Sequence, residues 1–116
     1  MYIAQSETKL PSEILRTDKK FCTEYEDFGL GDEALYIERF GIPRIGYIPL
    51  SAIERVYKRL AVSKGAFQSG KIFGTLSYLV VCFEGKQKAY RFTYEENVDA
   101  LMNGFREKPN IPVGKP

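Results

Sequence analysis

The 116-residue chain contains no histidine and no tryptophan. Without histidine it lacks the side chain most often used as a general base near neutral pH, and also the commonest metal ligand. Cysteine is scarce: Cys22 and Cys82 stand far apart with no C-x-x-C spacing. A structural zinc site with four Cys or His ligands therefore cannot be assembled from one chain. Two isolated thiols suit a reducing compartment, and a Cys22–Cys82 disulfide stays open, because separation in sequence does not fix separation in space. Charge of one sign is also scarce. Seventeen Lys and Arg against 15 Asp and Glu leave a net +2, too little by itself to imply nucleic acid or an anionic membrane. Long apolar runs are absent; the longest, Leu79–Phe83, falls far short of the roughly 20 residues of a spanning helix. Met1-Tyr2-Ile3-Ala4-Gln5-Ser6-Glu7 has neither the basic start nor the apolar stretch of a secretory signal. These absences predict a soluble cytoplasmic protein with no integral membrane segment and no cofactor.

What is present is an ordinary globular balance: 44% hydrophobic, 28% charged, with eight tyrosines and eight phenylalanines. The length predicts one domain, large enough to bury roughly two-thirds of its unfolded surface. Residues 1–20 are polar and mixed, with Pro11 and Lys19-Lys20. They are predicted as an N-terminal extension with at most a short helical turn. From Phe21 onward, short apolar stretches alternate with turn residues. Phe21–Phe28 is a strand candidate broken by Gly29-Leu30-Gly31-Asp32, Ala34–Phe40 is a second, and Arg44–Ile48 follows Gly41-Ile42-Pro43. Strands at that spacing suggest an antiparallel meander.

Ser51–Val62 carries two patterns. Ile53, Val56, Tyr57 and Leu60 have helical spacing, and Ser51 with Glu54 has the S-x-x-E of a capping box. Strand alternation instead puts Val56, Leu60 and Val62 on one face and Ile53 and Tyr57 on the other. Local pattern leans to helix. Ser63–Thr75, with Gly65, Gly70 and Gly74, reads as a long loop. Leu76–Phe83 is the strongest strand, followed by a Glu84-Gly85-Lys86 turn and a hairpin partner over Lys88–Phe92, with Tyr90 and Phe92 on one face. Thr93-Tyr94-Glu95-Glu96 then has the form of a capping box, and Val98, Leu101, Met102 and Phe105 form a helical stripe that Pro109 ends. Acidic residues near its start and Arg106 and Lys108 near its end suit the helix dipole. Pro109, Pro112 and Pro116 predict a short extended tail over 109–116.

A run of antiparallel strands closed by one C-terminal amphipathic helix resembles the pleckstrin-homology (PH) superfold. Ile48-Pro49-Leu50-Ser51-Ala52-Ile53 resembles the I-P-x-S-x-I element of small bacterial PH-like and GRAM-like domains, in which that element leads into a central strand. The resemblance covers residues 21–108 and implies a mainly β fold with one C-terminal α-helix, a two-sheet antiparallel barrel or sandwich. The helix would plug one open end of the sheets, and Ser51–Val62 would be strand rather than helix.

Three motifs invite chemistry. Gly65-Ala66-Phe67-Gln68-Ser69-Gly70-Lys71 matches GxxxxGK, but position 72 is Ile rather than Ser or Thr, and no helix is predicted to follow. The P-loop reading is rejected on both grounds. Arg55, Lys58, Arg59, Lys64 and Lys71 form a basic cluster; on a strand, Arg55 and Arg59 would share a face and Lys58 would point the other way. Glu24, Glu26, Asp27, Asp32, Glu33 and Glu38 form an acidic one, without a calcium-loop pattern or a nucleophile and base to make it catalytic. Opposite charges on one small domain favour self-association or a charged partner. The tyrosines are spread over many elements, as core residues are, so nucleic acid is not expected.

No catalytic residue is predicted. The sequence points to a non-enzymatic binding or assembly module, with a protein partner or a second copy as its ligand. The alternative is peripheral binding of anionic lipid or another phosphate ligand through the basic cluster. The candidate surface is Arg55, Lys58, Arg59, Lys64, Phe67, Lys71 and Phe73, because glycine-containing loops on rigid scaffolds often carry function.

Overall fold

The computed structural model describes the backbone of residues 1–64 and 72–115, and the side chains of 1–62 and 75–115. Among the described residues the chain is mainly β, with two helices and two sheets that do not close into a barrel. The first sheet has the order β1-β5-β4-β3-β2, built from β1 (Tyr2–Ala4), β2 (Thr23–Tyr25), β3 (Phe28–Leu30), β4 (Ala34–Ile37) and β5 (Ile45–Pro49). Strands β2 to β5 form the expected antiparallel meander, and β1 joins β5 in parallel. The second sheet has the order β6-β7-β8, from β6 (Ile53–Lys64), β7 (Ile72–Phe83) and β8 (Lys86–Phe92), all antiparallel. The helices are α1 (Ser12–Lys20) and α2 (Glu95–Arg106).

The main core lies between the sheets and α2. Phe28, Leu35, Ile37 and Ile48 from the first sheet meet Ile53, Val56, Leu79, Val81, Phe83 and Phe92 from the second. The predicted stripe of Val98, Leu101, Met102 and Phe105 is buried in the same core. Phe28 stacks on Phe92 at 4.7 Å between ring centroids and meets the edge of Tyr90 at 5.5 Å. The Tyr90 hydroxyl is buried with no hydrogen-bond partner, and burial, only partly offset by Arg39, pushes its pKa up to about 12.

Residues 1–20 contain β1 and the nine-residue α1, more than the short helical turn expected there, and α1 corrects the expectation of a single helix. Their role follows from β4, whose four residues are all buried. Leu35 and Ile37 face the main core, while Ala34 and Tyr36 join Tyr47 and Leu15 in a second cluster on the opposite face. A sheet buried on both faces needs a second layer, which α1 supplies through Leu15, while β1 widens the sheet beside β5 and packs Tyr2 and Ala4 against the same cluster. Leu15 is the only buried residue of α1, so the sequence shows no stripe there. A polar contact locks the layer. The Tyr36 hydroxyl donates to Asp18 Oδ2 at 2.7 Å, and burial together with Asp18 pushes the phenol well above its ordinary pKa. The same carboxylate accepts the N–H groups of Asp32 and Glu33, at 2.8 and 3.1 Å. A Cβ on Gly31 would stand 2.1 Å from Asp18 Oδ2, so the turn can close on that carboxylate only with glycine there.

Four boundaries differ from the sequence reading. Phe21–Phe28 is no single strand but the first half of the β2–β3 hairpin, reversed at Glu26, whose φ of 56° lies in the left-handed region. The break at Gly29–Asp32 begins only after Leu30, because Gly29 and Leu30 belong to β3. Ser51–Val62 is strand, as the resemblance implied and local pattern did not; only Leu50–Ala52 forms a 3-10 turn, with no side-chain cap. Of the expected 63–75 loop, 63–64 belong to β6 and 72–75 to β7, and 65–71 lie outside the described residues.

The C-terminal capping box is not formed either. The residue before α2 is Tyr94, with no side-chain cap. Instead Glu26, from the β2–β3 turn, accepts the N–H groups of Thr93 and Tyr94 at 2.8 and 2.9 Å and the Asn97 side-chain amide at 2.8 Å. Burial alone would raise its pKa, but the bonds from Asn97, Thr93 and Tyr94 outweigh that and hold the carboxyl below its ordinary value.

Candidate functional site

Strand β6 carries most of the candidate residues and decides their directions. It pairs with β7 from Ile53↔Phe83 to Lys64↔Ile72, with an irregularity between Ile53 and Arg55. The extra residue of this bulge, Glu54, shifts the alternation by one. Ile53 therefore enters the core beside Val56 rather than sharing a face with Tyr57, which corrects the face assignment made from simple alternation. Beyond the bulge, Val56, Lys58, Leu60 and Val62 lie on the core side, and Arg55, Tyr57 and Arg59 on the outer side. The predicted split of the basic residues is what the structure has.

Each described cation of the cluster is engaged separately. The Lys58 ammonium meets Glu95 and Asp99, the latter at 2.7 Å, one turn apart on α2. Bonds to Asp99 and Glu95 raise its pKa, against a smaller effect of burial. Arg55 Nη1 donates to the Gly114 carbonyl at 2.8 Å. The Arg59 guanidinium lies over the Tyr78 ring, 4.9 Å from its centroid. Lys64 and Phe73 lie within strands, but their side chains are outside the described residues; Phe67, Lys71 and the rejected P-loop match lie outside them entirely. No converging anion pocket is formed by Arg55, Lys58 and Arg59.

Four of the six acidic residues are engaged within the fold. Glu26 ties the β2–β3 turn to the start of α2, Asp27 pairs with Arg39 at 3.2 Å, Glu38 with Lys19 at 3.6 Å, and Asp32 with Lys108 at 2.9 Å. Among the described residues no three His, Cys, Asp or Glu come together as metal ligands, and both cysteines are free thiols. Pairing between this cluster and the basic strand of another copy is not what the geometry favours.

The arrangement centres instead on the edge of β6. In the second sheet β6 is an edge strand, and Ser77↔Phe92 is the last pair between β7 and β8. Ala61–Lys64 and Ile72–Leu76 consequently form a two-stranded ribbon. On its free side, β6 meets the segment after α2: Val56 N–H donates to Pro112 O at 3.1 Å, and Gly114 N–H donates to Val56 O at 2.8 Å. Val56 and Val113 form a parallel bridge. The alternation that turns the N–H and C=O of Val56 toward this segment turns those of Lys58, Leu60 and Val62 to the same side. Among the described residues no strand pairs with them there. Leu60 and Val62 are 49% and 57% exposed. The extended tail predicted over 109–116 is thus partly a strand partner of β6. The only sequence signal for this was the apolar alternation of Ile111 and Val113 about Pro112.

Compared with protein-family models, curated proteins and solved structures, the chain matches none. Among the described residues no helix is long and apolar enough to cross a membrane.

Proposed function

We propose that the chain is a non-enzymatic, PH-like binding or assembly module of the cytoplasm, and that its partner is a protein strand adding to the β6 edge at Lys58–Val62. The partner is a second copy or another protein. The observation that carries this reading is the edge itself, unpaired among the described residues. A row of outward N–H and C=O groups beside exposed Leu60 and Val62 is the usual template for strand addition, in which backbone bonds give affinity and alternate side chains give selectivity. Natural edge strands are commonly protected by charge, but here Lys58 and Arg59 are turned to α2 and to Tyr78. The PH-like reading is supported by the order of elements: an antiparallel meander, a three-stranded sheet, then a helix whose apolar stripe enters the core.

The anionic-lipid reading has less support, because Lys58 is already neutralised and Arg55 is bound to a carbonyl. Sedimentation over a concentration series, with cross-linking in lysate, tests the edge. Leu60→Lys with Val62→Lys is expected to abolish association or cross-links at an unchanged melting temperature. Cross-links that survive the double substitution, or selective, salt-weakened binding to anionic vesicles, would overturn the proposal.

A further inference from the structure

We infer that Ile111–Gly114 is a displaceable ligand of the β6 edge, held in cis, and that Arg55–Tyr57 accepts in its place a partner strand of the same chemistry. That chemistry is an extended segment parallel to β6, with two apolar side chains flanking an outward residue and a carbonyl for Arg55. The inference deepens the strand-addition reading and rests on it.

The attachment is thin beside the site it covers. Two backbone bonds and the Arg55–Gly114 contact hold the segment to β6. Ile111 and Val113 are only half-buried against the core, while Val56 beneath them is fully buried. The link that leads into the segment borders an open pocket of about 230 Å³, lined by Leu50, Ile53, Lys108, Pro109 and Ile111, among others. The link from α2 passes through Asn110, whose φ of 67° lies in the left-handed region. Its anchor is the Lys108–Asp32 ion pair, in which the Asp32 side chain is 90% exposed, and pairs of that kind hold weakly. Removing the segment leaves the site formed, because β6 stays paired to β7 throughout. A preformed edge emptied of its cis strand takes a trans strand without paying again for ordering the site.

The full chain carrying Gly114→Pro tests this. The substitution removes the N–H that bonds Val56 O, and proline cannot adopt the φ of 111° at this position. The Val56 amide is expected to exchange at least about tenfold faster than in the unaltered chain, with the melting temperature little changed. A synthetic peptide of sequence Pro-Asn-Ile-Pro-Val-Gly-Lys is expected to restore its protection and to bind this variant at least about tenfold more tightly than the unaltered chain, whose site is occupied. The same peptide with Asp in place of its Val is expected not to bind. Val113→Ser provides a second release of the segment. Unchanged Val56 exchange in both variants, or failure of the released chain to take the peptide, overturns the inference. Leu60→Lys with Val62→Lys leaves the Val56 site intact. Peptide rebinding that persists where that pair changes no association would therefore refute the proposed function alone.

Discussion

The two halves of β6 share one backbone and one partner strand but live in different surroundings. The proximal half, with Ile53 and Val56 in the core, lies between β7 and the segment after α2, which bonds Val56; it ends at Lys58, neutralised by the first turns of α2. Arg59 to Lys64 keeps its pairing to β7, but among the described residues no strand lies on its other side, and Leu60 and Val62 are about half exposed. Both halves turn two apolar side chains to the core side, Ile53 and Val56 across the bulge and Leu60 and Val62 beyond it. Burial is decided by whether a second layer reaches the strand, and an apolar side chain that no layer covers is available to a partner.

Substitutions along the strand can break that contrast. The largest effect is expected from Ile53→Ala, which empties a core position and costs about 2–5 kcal/mol in urea unfolding. Losses of equal size at Leu60 would show that the distal half is packed after all. A smaller effect is expected at Glu26, which positions α2 over the proximal half. Glu26→Gln removes a charged acceptor of three donors and costs about 1–2 kcal/mol. Its folded pKa is lowered, so its contribution is complete above the ordinary carboxyl value and is lost as pH falls through the lowered one. The difference between the unaltered chain and Glu26→Gln should therefore shrink on acidification; a difference that grows would mean that another group controls the acid limb.

Lys58→Met marks the boundary between the halves. Its partners are half-exposed, and a loss of less than about 1 kcal/mol is expected, diminishing with added salt. Its raised pKa makes the contribution one that is present at neutral pH and lost as pH rises through the folded value. The smallest effects belong to Leu60→Ala and Val62→Ala, each within about 0.5 kcal/mol by urea unfolding.

Much of the second sheet and of α2 was legible in the sequence. Leu76–Phe83 is β-branched and aromatic, and the stripe from Val98 to Phe105 permits only a helix. The turn between β7 and β8 was equally plain, since Glu84 and Gly85 both take positive φ in a two-residue hairpin. The N-terminal layer was not legible, because α1 buries one leucine and is fixed by a tyrosine and a carboxylate that meet only in space. Glu26 was hidden for the same reason: its partners lie in the last third of the chain, and a lone acidic residue in a charged stretch looks solvated. On β6 the local pattern failed because one bulge imitates a change of period, moving Ile53 to the face that helical spacing would also give it. The split of Arg55 and Lys58 survived, since it needs only alternation beyond the bulge.

The carboxylate that starts α2 also has a kinetic meaning. A helix with a good apolar stripe but no local cap depends for its first turn on a hairpin more than half the chain away. Contacts of such long reach close late, after the loop entropy between them has been met. The bonds to Glu26 are then absent from the folding transition state, and Glu26→Gln should accelerate unfolding while leaving the folding rate nearly unchanged. Stopped-flow refolding that slows in step with the lost stability would place that contact in the nucleus instead. Absent from the transition state, the contact makes Glu26 a clasp fastened last, which governs how long the folded chain persists rather than how quickly it forms.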